Sequence, residues 1–169
     1  RVIDSGTAGM ALGAAAMAAA KLAQGGADLQ ECYAAAVDTL ERGHTWVYLN
    51  STEDLRRSGR LSAATAMLST ALLATKPIMA VEGGKLELVG KTRTQTKAFT
   101  KLVDLVASRA QGQPAFVVVQ YHQDEVAARR LEDLLRLALP DSSFLRVELT
   151  SVLSVHVGPG AIGVSVVFS

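Results

Sequence analysis

The sequence has one cysteine, Cys32, so no disulfide can staple it, and a single thiol cannot build a cysteine zinc centre. Its three histidines, His44, His122 and His156, share no short ligand spacing, and no structural metal is expected. Excess basic charge is missing too. With 17 Lys+Arg against 16 Asp+Glu, the net charge of +1 argues against a nucleic-acid binder that works through a basic surface. Four prolines form no linker, and there is no internal repeat or low-complexity tract. The Ala-rich run at residues 8–20 is the longest apolar stretch, too short for the roughly 20 residues of a spanning helix. Asp4 sits where a signal peptide would be basic, so that reading is set aside. A cytoplasmic location is expected. A chain that opens Arg-Val-Ile-Asp-Ser starts within what reads as a strand, and it is expected to be the C-terminal portion of a longer protein.

What is present is apolar material: 49% hydrophobic residues, 20% charged and a mean hydropathy of +0.24. Over 169 residues that suffices for one ordinary core, or for one domain and part of another. Asp4, Ser5 and Thr7 read as the cap of a small-residue helix running to about Gln24. Asp28 and Glu31 have capping-box spacing for a second helix ending near Gly43. A short strand at 47–49, a short helix after Ser51 and a helix at 63–73 capped by Ser62 follow. Strands at 77–81 and 85–89 flank Glu82-Gly83-Gly84, a hairpin signal. Next come a helix at 94–109, a strand at 115–119, an amphipathic helix at 125–139, and strands at 144–149, 152–157 and 162–168. The class is α/β: a mixed sheet with flanking helices.

Few motifs carry chemistry. Gly6, Gly9 and Gly13 do not have the spacing of a dinucleotide loop, and no phosphate P-loop is read in the chain. Arg60, between Gly59 and Leu61-Ser62, could offer its planar donor fork to a carboxylate or phosphate. His156 is read as closing an apolar strand before the rigid Gly158-Pro159-Gly160 turn, where an imidazole can donate to an anion or shuttle a proton. His122 also ends a strand, while His44 reads as loop surface and Cys32 as inert core. Lys91, Arg93, Lys97 and Lys101 form a basic run that reads as a solvated face or as a surface for an acidic partner.

Taken in order, Asp4-Ser5 before a small-residue helix, Gly59-Arg60-Leu61-Ser62, Lys76-Pro77-Ile78, Lys91-Thr92-Arg93 with Lys97-Ala98, His122 and His156-Val157-Gly158-Pro159-Gly160-Ala161 resemble the DegV family of lipid-binding proteins. The resemblance implies a two-domain α/β protein, with residues 1–45 as the tail of the N-terminal domain and 46–169 as the C-terminal domain. It implies a long-chain, palmitate-like fatty acid as ligand, no other cofactor, no catalytic residue, and a fatty-acid kinase subunit as partner. Arg60 and His156 match the family's arginine and histidine motifs at the carboxylate end, with Gly59, Ser62, Gly158 and Gly160 beside them. The family's carboxylate-binding hydroxyls belong to an N-terminal segment outside this chain. Ser58, Ala11 and Ser154 stand where glycines are common in the family.

Burying about 15 methylenes at roughly 0.8 kcal/mol each gives on the order of 12 kcal/mol gross, and the carboxylate must then find donors. Met10, Leu61, Leu68, Ile78 and Ile162 are candidate tail-lining residues. Two other readings are a protein-interaction or regulatory module without lipid, and a Ser/His acyl hydrolase with His156 as base and Ser62 or Ser5 as nucleophile.

Overall fold

Alternating helix caps and apolar runs build twelve described elements in the computed structural model, which describes residues 1–59 and 75–169. They are α1 (Met10–Gln24), α2 (Leu29–Glu41), β1 (Gly43–Tyr48), α3 (Glu53–Arg57), β2 (Lys76–Glu82) and β3 (Lys85–Thr92). Then follow α4 (Gln95–Ala110), β4 (Ala115–Tyr121), α5 (Glu125–Ala138), β5 (Ser143–Glu148), α6 (Ser151–Val157) and β6 (Ile162–Phe168). The strands form one mixed sheet in the order β3-β2-β1-β6-β4-β5. Among the described residues only β4 and β5 pair in parallel, as a strand–helix–strand crossover through α5 requires. The expected mixed α/β class is the observed one. Residues 1–45 supply α1, α2 and the first three residues of β1.

Strand alternation gives the sheet two different faces. Trp46, Tyr48, Ile78, Ala80, Val117, Val119, Ile162, Val164 and Val166 point to one, where Phe99, Leu102 and Val106 of α4 and Leu131 and Leu135 of α5 close the main core. Thr45, Val47, Met79, Gln120, Gly163 and Ser165 lie on the alternate positions. There Leu49, Leu55, Met79 and Ala161 make a smaller core, joined by Val47, Leu86, Leu88 and Val157. The helix pair α1 and α2 packs on β1 and β6, and α3 packs on α6.

The caps explain several boundaries. Asp28 accepts from the Glu31 amide at 2.9 Å while the Glu31 carboxylate accepts from the Asp28 amide at 2.8 Å, the reciprocal box expected for α2. Thr94 caps α4 and Asp124 caps α5 through their side chains. The hairpin forms at the expected place, with Gly83 and Gly84 both at positive φ.

Five expectations fail. Val2 and Ile3 form no strand, and Val2 is exposed. Neither Asp4, Ser5 nor Thr7 caps α1; the helix starts five residues later than Asp4, from Gly9, without a side-chain cap of its own. Residues 152–157 are helical, not extended: Leu153, His156 and Val157 are half-buried on one side at helical spacing, while Val152 and Val155 are exposed. His44 lies in β1 against Trp46 and Phe168, not on a loop, and Cys32 is half-buried on α2. Gly90-Lys91-Thr92, a tripeptide also found in phosphate loops, sits in strand β3 and opens no helix. The helix read at 63–73 lies outside the described residues.

Candidate functional site

A cavity of about 520 Å³ opens on the sheet face that carries Thr45, Val47, Gln120 and Gly163. Its walls are mostly aliphatic: Val47 and Leu55, Val81 and Leu86 of the hairpin, Leu149, and Val152, Leu153 and Val157 of α6. The segment leading into α1 closes one side with Thr7, Ala8 and Gly9. Three hydrogen bonds hold that segment. The Gly84 amide at the hairpin tip donates to the Gly6 carbonyl at 2.7 Å, the Thr45 hydroxyl to the Ala8 carbonyl at 3.3 Å, and the Met10 amide to Gln120 Oε1 at 3.0 Å.

The other side is set by the chain after α6. Gly158 and Gly160 have φ of +74° and +76°, a region that side chains rarely adopt. A Cβ on Gly158 would fall 2.1 Å from Asp54 Oδ2, and one on Gly160 3.1 Å from Cβ of Asn50. The turn can therefore nest against residues 50–54 only with glycine at both places. The backbone of His122 clasps it as well, its carbonyl accepting from Gly160 and its amide donating to Ala161. Lys76 Nζ donates to the Asn50 carbonyl and to its Oδ1 at 2.8 and 2.7 Å, which holds the loop in turn. This brace places His156, one turn earlier on α6, in the cavity wall. His156 Nδ1 is buried with no hydrogen-bond partner among the described residues. An Nδ1 proton would find no acceptor among the described residues, which favours a ring that donates from Nε2.

The family model for uncharacterised proteins of the DegV family matches residues 1–169. The chain belongs to the DegV family. A DegV domain-containing protein of Corynebacterium glutamicum is 55% identical over all of this chain and 62% of its own length; its crystal structure superposes with a TM-score of 0.96, covering 100% of this chain and 63% of that one. A Thermus thermophilus DegV-family protein described for fatty-acid binding is 27% identical, with a TM-score of 0.89 over 100% of this chain and 61% of its own. A Streptococcus pneumoniae fatty-acid kinase B3 protein loaded with linoleic acid shares the fold at 20% identity, with a TM-score of 0.89 over 100% and 60% of the two chains. The chain thus spans about three fifths of the length of the DegV proteins it matches.

Of the DegV motif residues, the structure brings Gly59 and His156 to the same cavity, with Gly158 and Gly160 bracing the second from behind. Arg60, Leu61, Ser62 and Leu68 lie outside the described residues. Met10 gives its amide to Gln120, and it is not among the described wall residues. Ile78 and Ile162 are fully buried in the main core on the opposite face, a consequence of strand alternation: their neighbours Met79 and Gly163 point to the cavity side. Ser5 donates to the Thr7 carbonyl and is not part of the described wall. Sequence reading missed Gln120, Thr45 and Asp54. Gln120 carried a signal, a polar residue inside the apolar run of β4, but its meaning depends on Gly9, far away in sequence.

Proposed function

We propose that this chain supplies part of the pocket of a long-chain fatty-acid carrier, which presents the acyl carboxylate to a kinase subunit and does no chemistry itself. The observation that carries the reading is the cavity: aliphatic walls around a histidine, in a DegV chain whose Thermus thermophilus counterpart is described for fatty-acid binding. Its volume lies within the roughly 300–1,000 Å³ of small-molecule pockets. Apolar walls suit a methylene chain, each buried CH₂ contributing about 0.8 kcal/mol before the costs of association. The carboxylate needs donors, for which His156 Nε2–H and the Arg60 fork are the candidates from this chain.

The acyl-hydrolase alternative fits less well. A general base needs its Nε2 lone pair free and its Nδ1–H oriented by an acceptor, and no described residue accepts from His156 Nδ1. A partner that consumes the carboxylate fits an imidazole acting as a donor.

The test is reconstitution of the full-length protein with an acyl kinase, ATP and a C16 fatty acid. His156→Ala is expected to lower acyl-phosphate formation by about 100-fold, near the scale of losing one well-placed donor, while bound fatty acid falls less than tenfold. The reverse ranking would make His156 a ligand anchor only. Formation of acyl phosphate at the same rate without this protein would contradict a carrier role.

A further inference from the structure

The first backbone amide of α1 is capped from another part of the chain. No side chain of residues 4–9 caps α1: the Gly6 amide donates to Asp4 Oδ1 at 3.1 Å and the Ser5 hydroxyl to the Thr7 carbonyl at 3.3 Å, both local to the segment. Gln120 Oε1 takes the Met10 amide instead. Because that amide can only donate, the orientation of the Gln120 amide group follows, and Nε2 donates to Ser165 Oγ at 2.9 Å. The Ser165 and Thr45 hydroxyls are 2.9 Å apart, and Thr45 donates to the Ala8 carbonyl. The chain therefore runs one way, from amide to hydroxyl to hydroxyl to carbonyl, beginning and ending on the segment that closes the cavity. Its three side chains are 3%, 1% and 4% exposed, and a buried polar group on a sheet is costly unless paired. The slot for the Gln120 side chain exists only between two glycines: a Cβ on Gly9 would lie 2.7 Å from Oε1, and one on Gly163 3.3 Å from Nε2.

We propose that Gln120 is a positioning residue for ligand retention: with Ser165 and Thr45 it latches the segment before α1 against the sheet, and breaking this latch opens the cavity wall formed by Thr7, Ala8 and Gly9. The proposal rests on the reading of the cavity as an acyl pocket. A ligand lying along Gln120 and Gly163 is released when that wall lifts, so the latch acts on the dissociation rate. Leucine at position 120 fills similar space without capping the helix. Glutamate keeps an acceptor for the Met10 amide and suits the positive end of α1.

The test uses the full-length protein and two readouts: hydrogen exchange of the amides in the first turn of α1, and transfer of a fluorescent polyene fatty acid to acceptor vesicles. Gln120→Leu is expected to lower first-turn protection and to speed dissociation about tenfold, the rate equivalent of a lost helix cap, while Gln120→Glu, which still accepts from the Met10 amide but cannot donate to Ser165, is expected to keep more of the first-turn protection than Gln120→Leu. Equal protection and equal dissociation in the parent and Gln120→Leu would overturn the latch. If no protein holds the probe, the acyl-pocket reading fails, and the exchange readout still decides whether the latch exists. Should Gln120→Leu fail to fold, Ser165→Ala removes the middle of the chain; about threefold faster dissociation supports the latch, and unchanged dissociation with unchanged protection overturns it.

Discussion

Single glycines decide whether the wall around His156 can form. At Gly158 the backbone is left-handed and the space for a side chain is already taken by Asp54, so both strain and overlap oppose any larger residue. Gly158→Ala is expected to destabilise the fold by about 2–3 kcal/mol, whereas Gly83→Ala, also at positive φ but with open space around it, costs about 1 kcal/mol. Urea unfolding of the two variants checks the ranking; equal costs would contradict the packing argument. His44 makes a second prediction at this scale. Burial, and then the nearby Arg109 charge, hold its pKa below the ordinary 6.5, so the unfolded chain takes up a proton that the folded one resists. Stability is therefore intact above pH 6.5 and falls as pH drops through 6.5 toward the lower folded value. Trp46, the sole tryptophan, stands 5.9 Å from the His44 ring and reports unfolding. His44→Phe is expected to flatten the decline between pH 7 and pH 5, and an unchanged slope would contradict it.

Elements whose cues are local were legible in the sequence, and those set by distant partners were not. The capping box of α2, the Gly83-Gly84 hairpin and the apolar run of β4 each depend on residues a few positions apart, and each stands where it was expected. The start of α1 does not, because its cap comes from Gln120. Nor does α6: Val152, Val155 and Val157 read as a strand by composition, yet the eight residues between Leu149 and the positive-φ Gly158 hold a helix whose inner side packs on α3. The helix α5 was visible from its periodicity, although its tie to β5 was not. Glu132 of α5, only 7% exposed, pairs with Arg136 on its own helix and with Arg146 of β5, and the Arg136 guanidinium lies 4.4 Å above the Phe144 ring. Glu132→Ala leaves both arginines without this carboxylate, though they can regain water. A loss of about 2 kcal/mol in chemical denaturation is expected, and no loss would show that the network adds nothing net.

At the scale of the molecule, the sequence disclosed the α/β class and the DegV resemblance, because ordered motifs survive where single residues are ambiguous. His156 and Gly59 line the cavity, whereas strand parity, set by pairing register, sends Ile78 and Ile162 to the opposite face. The sheet thus divides its work. One face builds a dry core with α4 and α5; the other leaves a cavity between the hairpin, α6 and the latched start of α1. Among the described residues no helix is long and apolar enough to cross a membrane, and no cluster of histidine, cysteine or acidic side chains could hold a metal ion. An apolar cavity with a histidine in its wall suits the amphipathic acid of the proposed function. The most direct measurement is native mass spectrometry of the full-length protein as purified, repeated after denaturation and solvent extraction. The account predicts one adduct per chain, with the mass of a C14 to C18 fatty acid, that is lost on denaturation and recovered in the extract; bare protein that also fails to take up added palmitate would contradict it.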